Sequence, residues 1–282
     1  MSVVIGIDIG GSTTKIVGIR TDGASRELIK PQVVKATDPL TAVYGAFGKF
    51  TDENRLEIKD ISRVMMTGVG SSYVKRDLYG LDCKRASEFE SIGKGGLYLS
   101  GLSEALVVSM GTGTAMVHAK EGCMTYLGGT GVGGGTLMGL SKLLVKAESI
   151  EHIAEFADGG ELANVDLRIK DITAKQARDG LSGDMTAANF GNVSDIATKS
   201  DISKGIMNMV FETVAMVSVF AARSVGVKDI VITGNLTTLR QCREKFIEIG
   251  KMGYGVNFII PEYSRYATVI GAALRGVEVQ DK

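Results

Sequence analysis

Apolar residues in this chain come in short runs that glycine repeatedly interrupts. Residues 3–8 read as a buried strand, and "TKIVGIR" at 14–20 resumes the pattern after Gly10 and Gly11, which predicts a β-hairpin. Residues 30–35 supply a third strand. "PLTAVYGAFGKFTDE", from Pro39, spaces its apolar residues three to four apart and predicts an amphipathic helix. "ISRVMMTGVGSSY" at 61–73 reads as a strand entering a glycine turn, and "EFESIGKGGLYLSG" as a helix running to about Gly101.

A second set of elements repeats the first. An apolar strand at 105–110 enters the turn "SMGTGT", and 115–118 leaves it as another strand. "TYLGGTGVGGGTLMGLSKLL" reads as a glycine-rich loop feeding a helix from about Thr136. "SIEHIAEFADGG" predicts a helix with Ser149 as N-cap and Gly159 near its end. Residues 202–225 form a long, largely apolar helix, suited to a core or to a seam between two copies. "KDIVITGNLT" is a strand ending at Gly234 and Asn235, and "YATVIGAALRGVEV" a small-residue helix that packs closely on a neighbour. No linker or low-complexity segment interrupts the chain. The two strand–turn–strand units predict duplicated lobes facing one another across a cleft.

Composition narrows the chemistry. With 282 residues the chain suits two lobes, and 32 basic against 32 acidic residues give no net charge. That balance supports neither a nucleic-acid partner nor an anionic membrane. No apolar run is expected to reach bilayer length and the N-terminus lacks a basic leader, so the expectation is a cytoplasmic protein. Three separated cysteines point to a reduced compartment without disulfides or structural zinc. Two histidines argue against a histidine triad or a multi-histidine metal site. The absence of tryptophan, with 6% aromatic residues, argues against a stacking platform for sugars or bases.

Thirty-seven glycines against three prolines, clustered in turns, point to backbone amides approaching a ligand. In "DIGGSTTK", the amides of Gly10, Gly11 and Ser12, with the Thr13 hydroxyl, suit phosphate oxygens. Lys15 adds a point charge, and Asp8 suits a hydrated Mg²⁺. Gly111, Thr112 and Gly113 offer a second such turn, and "GGTGVGGGT" a third at a helix start, where unpaired N–H groups favour anions. Neither a Walker A loop nor a Rossmann fingerprint is present.

The pattern resembles the superfamily of acetate kinases, sugar kinases, Hsp70 and actin, whose fold has two similar ribonuclease H-like lobes. The resemblance implies an α/β protein with mixed five-stranded sheets around an ATP cleft, and an adenosine motif at Gly234 and Asn235. Within it, "IGIDIGGSTTKIV", "SMGTGTAMV", "GGTGVGGGTLMGL" and "GDMTAANFGN" are similar, in order and spacing, to the type II (eukaryotic-type) pantothenate kinase family. That resemblance covers nearly the whole chain. It implies a homodimer that transfers the γ-phosphoryl group of ATP, with Mg²⁺, to the primary hydroxyl of pantothenate at the start of coenzyme A synthesis. It implies lobes at 1–102, joined by the C-terminal helix 265–282, and at 103–264.

The resemblance also assigns roles. Glu88 becomes the catalytic base, and Lys15 touches the nucleotide phosphates. Gly111 to Gly113 cradle phosphate, and Gly133, Gly134 and Gly135 approach nucleotide or acceptor. Thr130, Ala188, Phe190 and Gly191 line the acceptor pocket. One position departs: Tyr126 stands where the family has an arginine for the pantothenate carboxylate, and a phenol cannot form that charged fork. Lys84, Arg85 or Arg76 are the candidate substitutes. The alternatives are a kinase of a related acceptor such as pantetheine, an ATPase of the 2-hydroxyacyl-CoA dehydratase activator type, and a nucleotide-binding sensor.

Overall fold

The computed structural model describes residues 2–11, 13–21, 27–35, 38–173 and 182–280, with the side chains of 279 and 280 excepted. In chain order the elements are β1 (Val3–Ile9), β2 (Thr14–Arg20), β3 (Glu27–Val34), α1 (Pro39–Glu53), β4 (Ile61–Thr67), β5 (Cys83–Arg85) and α2 (Glu88–Ser100). There follow β6 (Glu104–Met110), β7 (Thr114–Lys120), β8 (Cys123–Thr130), α3 (Gly134–Leu144), α4 (Ile150–Asp158), β9 (Leu167–Arg168), α5 (Ile169–Ile172) and β10 (Thr186–Ala188). The last are α6 (Lys199–Val225), β11 (Asp229–Thr233), α7 (Arg240–Gly250), β12 (Asn257–Ile259) and α8 (Ala267–Gln280).

Two five-stranded sheets carry the fold, in the orders β3-β2-β1-β4-β5 and β12-β11-β6-β7-β8. Both follow one plan: three consecutive strands, then two that arrive by crossover. In the first sheet β1 pairs antiparallel with β2 and parallel with β4. The α/β architecture with mixed five-stranded sheets that the resemblance implies is therefore present. The chain divides into two compact units, one of residues 1–107, 117–126 and 261–282, the other of 108–116 and 127–260.

In the first unit, one face of the sheet buries Ile5, Ile7, Ile9 and Ile16 against Val43, Phe47 and Phe50 of α1. Alternation sends Val4, Val17 and Ile19 to the opposite face, where Val269, Ile270 and Ala273 of α8 cover them. Helix α8 also lies hard against α2. A Cβ at Gly271 would overlap the Ser91 carbonyl oxygen, and one at Gly95 would sit 2.5 Å from the Ala267 carbonyl carbon. Only glycine allows that approach. Lys94 pairs with Glu278, and Arg275 with Glu90 at 3.1 Å, along the same crossing.

Local signals explain the helix boundaries. Asp38 caps α1 by accepting from the Thr41 amide at 2.6 Å, and Ser149 caps α4 through the His152 amide. Gly101 and Gly226 end α2 and α6 in the left-handed conformation, at φ 71° and 74°. Three expectations need correction. The expected loop before the third glycine cluster is strand β8 as far as Thr130, since its edge position tolerates Gly128 and Gly129. Helix α3 then begins at Gly134, ahead of Thr136. Helix α6 is long and apolar enough to cross a membrane by length and composition; 61% of its most apolar window is buried within the fold.

Candidate functional site

Register builds the first cluster. Asp8 and Lys15 are directly opposed on the β1–β2 hairpin, so their side chains share a face and pair at 3.6 Å, both nearly buried. The turn between them closes by Gly10 N–H donating to the Thr13 carbonyl at 3.0 Å; Ser12 lies outside the described residues. Gly68, just after β4, holds φ 83°, and a Cβ there would lie 2.6 Å from Asp8 Oδ1. The Asp8 carboxylate is thus hemmed by backbone on one side and by an ammonium on the other.

Glu88 is the first residue of α2, behind its cap Ser87, whose hydroxyl accepts from the Glu90 amide. Its carboxylate stays accessible while surrounding protein strips part of its hydration. That desolvation, and next the negative charge of Asp8, push the carboxyl up from its ordinary value of 4.5; Lys15 pulls it partly back. A carboxylate held this way is suited to accept a proton. Phe89 stacks on Tyr126 with ring centroids 3.9 Å apart and planes 16° from parallel. Tyr126 therefore stands beside the residue that follows Glu88, an aromatic surface where a charged fork was the alternative. Of the cations considered as substitutes, Lys84 lies 3.7 Å from Asp82, and Arg85 donates to the Ser71 and Val74 carbonyls.

The second unit welds its two glycine turns into one body. Gly111 N–H closes the β6–β7 turn on the Gly113 carbonyl at 2.8 Å. Gly134 and Gly135 N–H donate to the carbonyls of Gly111 and Thr112 at 2.9 and 2.8 Å. Thr114 Oγ1 donates to the Val132 carbonyl at 2.8 Å, and Thr130 Oγ1 accepts from the Val132 amide. A Cβ at Gly133 would lie 2.8 Å from the Gly113 carbonyl carbon. Gly133 and Gly134 thus serve close backbone packing, and the amides of Gly134 and Gly135 hold the start of α3 onto the turn. Gly234 leaves β11 at φ 95° against the end of β6, and Asn235 opens a short 3₁₀ turn. Thr237 Oγ1 locks that turn on the Gly234 carbonyl.

The segment 186–191 is short strand β10 followed by a strained corner. Phe190 sits at φ 55°, unusual for a bulky residue, and Gly191 packs so tightly that a Cβ would lie 2.6 Å from that of Ala188. Beneath it lies a polar group absent from the sequence reading: Asp166, Asn208 and Glu212. Its signals were present, an aspartate between Val165 and Leu167 and an asparagine inside the apolar run of α6. Among the described residues, no group of three or more metal-ligating side chains occurs.

A family model described as Fumble matches residues 102–259, more than half of the chain. A type II pantothenate kinase of Oceanobacillus iheyensis is 32% identical over 197 residues, covering 66% of this chain and 72% of the relative. One from Staphylococcus aureus (strain USA300) is 26% identical over 270 residues, covering 87% and 94%. Among solved structures, the activator of the 2-hydroxyisocaproyl-CoA dehydratase from Clostridium difficile with bound ADPNP aligns at TM-score 0.69 and 16% identity, covering 99% and 96%. A ROK family glucokinase from Streptomyces griseus, in complex with glucose and AMPPNP, aligns at TM-score 0.61 and 11% identity, covering 97% and 98%. At those identities the structural likeness is one of fold, that of actin-like ATPases. The sequence matches go further, and by them the chain belongs to the Fumble family, that of the type II pantothenate kinases.

Proposed function

We propose that this protein transfers the γ-phosphoryl group of ATP to the primary hydroxyl of pantothenate or a close relative, with Glu88 as the base. The observation that carries the reading is the Glu88–Asp8–Lys15 cluster: an accessible carboxylate with a raised pKa beside a nearly buried ion pair. Glu88 takes the hydroxyl proton as the oxygen attacks phosphorus, and Lys15 offsets charge on the phosphate oxygens. Lys15 then exchanges its contact with Asp8 for a phosphate. The amides of Gly11 and Ser12, with the Thr13 hydroxyl, and those of Thr112 and Gly113 hold the phosphates, on turns that the Gly10 and Gly111 N–H groups close. Gly234 and Asn235 border the adenosine.

A nearly buried carboxylate outside any larger acidic cluster among the described residues fits Mg²⁺, which keeps several waters and binds through one or two carboxylates plus substrate phosphates. Asp8 would hold it, and when bound it neutralises charge on the phosphates. Thr130, Ala188, Phe190 and Gly191 border the acceptor. The apolar face of α6 that exposes Val217 and Phe220 is the proposed homodimer seam, in a cytoplasmic enzyme without a nucleic-acid or membrane partner.

The Tyr126–Phe89 stack favours a second acceptor. An aromatic surface beside Glu88 suits a neutral chain such as that of pantetheine better than a carboxylate. ADP release is to be measured with pantothenate, pantetheine and unrelated alcohols, in wild type and Glu88→Ala. Stimulation by pantothenate that Glu88→Ala abolishes supports the first reading, and stimulation by pantetheine alone the second. If no acceptor stimulates, the kinase reading fails.

A further inference from the structure

Beneath the exposed residues Ala187, Ala188 and Asn189, the chain gathers polar side chains, two of them buried. Asp166 is fully buried, and its two oxygens take two neutral donors: Oδ1 the Phe190 N–H at 2.9 Å, Oδ2 the Asn208 Nδ2 at 2.8 Å. The same Nδ2 also faces Thr186 Oγ1 at 3.0 Å and Glu212 Oε2 at 3.1 Å. Glu212 Oε1 accepts from the Thr186 N–H at 3.3 Å. The cluster grips both ends of one short segment, Thr186 and Phe190. At Phe190 it holds a backbone conformation that a bulky residue avoids.

Three features make these bonds more than a way of satisfying polar groups. Burying a carboxylate against neutral donors is costly, and a Leu–Val packing would hold a structural loop at less cost. Asn208 Oδ1 is itself buried without a hydrogen-bond partner, so the asparagine is kept for its amide nitrogen. The strain is stored at the corner from which exposed small residues project. We propose that Asp166, Asn208 and Glu212 are positioning residues that preorganise segment 186–191 for the acceptor. This rests on the reading of that segment as the acceptor wall.

The donor–acceptor pattern supplies its own test. In Asp166→Asn, an amide that can present one oxygen faces two donors, so either Phe190 or Asn208 loses its partner. Glu212→Gln sets one amide nitrogen against another in the same way. The triple change Asp166→Asn, Asn208→Asp and Glu212→Gln reverses every side-chain polarity. The new amides at positions 166 and 212 then donate to the new carboxylate at position 208, and their oxygens still accept from the Phe190 and Thr186 N–H groups. The Thr186 hydroxyl turns to donate. Steady-state KM for pantothenate and for ATP is measured for the full chain, with urea midpoints alongside. The expected result is a rise of about ten-fold in acceptor KM for each single change, the equivalent of one hydrogen bond, with ATP KM unmoved and most of the rise reversed in the triple variant. A merely structural cluster would lower the urea midpoint and the active fraction, leaving both KM values alone; that outcome overturns the proposal. So does a rise in ATP KM equal to that for the acceptor. No acceptor-dependent turnover in the wild type overturns the kinase reading and this one with it, whereas turnover with unmoved KM values overturns this one alone.

Discussion

The same substitution should have opposite effects at two helical glycines, Gly271 at the crossing of α2 and α8 and Gly45 in α1. At Gly271, an alanine Cβ would overlap the Ser91 carbonyl oxygen and lie 2.7 Å from its carbon and 2.8 Å from the Gly95 nitrogen. All three neighbours are backbone, so no side chain can swing aside, and the helices must part by about 1 Å to restore normal contact. At Gly45 of α1 a Cβ meets nothing within 4 Å. Gly→Ala in a helix interior is worth about 0.8–1 kcal/mol of stabilisation, and Gly45→Ala should realise most of it. Gly271→Ala gains the same helix propensity but adds overpacking of about 1–3 kcal/mol, with part of the α8 cover lifted from Val4 and Val17. The two variants should therefore differ by about 2 kcal/mol, roughly 0.7 M in urea midpoint when followed by circular dichroism. Because α2 begins at Glu88, a shift of that size should also cut turnover by about ten- to a hundred-fold in Gly271→Ala and leave Gly45→Ala untouched. A Gly271→Ala protein as stable as Gly45→Ala would refute the reasoning.

As the proposed base, Glu88 acts only when deprotonated, and its pKa is raised, so the acid limb of kcat/KM should lie above the ordinary 4.5. Lys15→Met removes the one lowering influence and should move that limb further up; a limb that stays in place contradicts the electrostatic coupling. Asp201 is held down at about 2, first by hydrogen bonds from the Thr198 and Glu161 amides, so its stabilisation is complete above its ordinary 3.8 and is lost as pH falls towards 2. Asp201→Asn should lower stability at neutral pH by about 1–3 kcal/mol, read from urea unfolding, and flatten its fall in acid. Gly234→Ala places a Cβ 2.7 Å from the Met110 carbonyl carbon at φ 95°. It should cost about 1–3 kcal/mol and weaken nucleotide binding in titration calorimetry, whereas wild-type affinity would remove Gly234 from the adenosine site.

Much of this fold was legible because its signals are local. Apolar spacing places α1 and the Ser149 cap places α4 from residues a few positions apart, and the β1–β2 hairpin follows from apolar runs broken at Gly10 and Gly11. Strand β8 was not legible, because two glycines near its end look like a loop until the sheet edge that tolerates them is known. Helix α7 gave too polar a pattern to stand out beside the apolar runs. The Asp8–Lys15 pair could be anticipated from the hairpin, since register follows from the turn. The Phe89–Tyr126 stack and the Asp166–Asn208–Glu212 cluster could not. Each joins residues far apart in sequence through contacts that only the assembled chain creates.

The place of α8 in the first unit bears on how this protein is made. Strands β1 to β5 are complete by Arg85, but the face holding Val4, Val17, Ile19 and Met65 is closed by a helix that begins at Ala267. About 180 residues separate the two, which at about 5–20 residues per second is roughly 10–40 s of synthesis with an open apolar sheet face. The nascent chain therefore needs shelter on the ribosome for most of its translation. Chains released before Ala267 would carry that face permanently exposed and should fall to aggregation or proteolysis, however well the intervening residues fold.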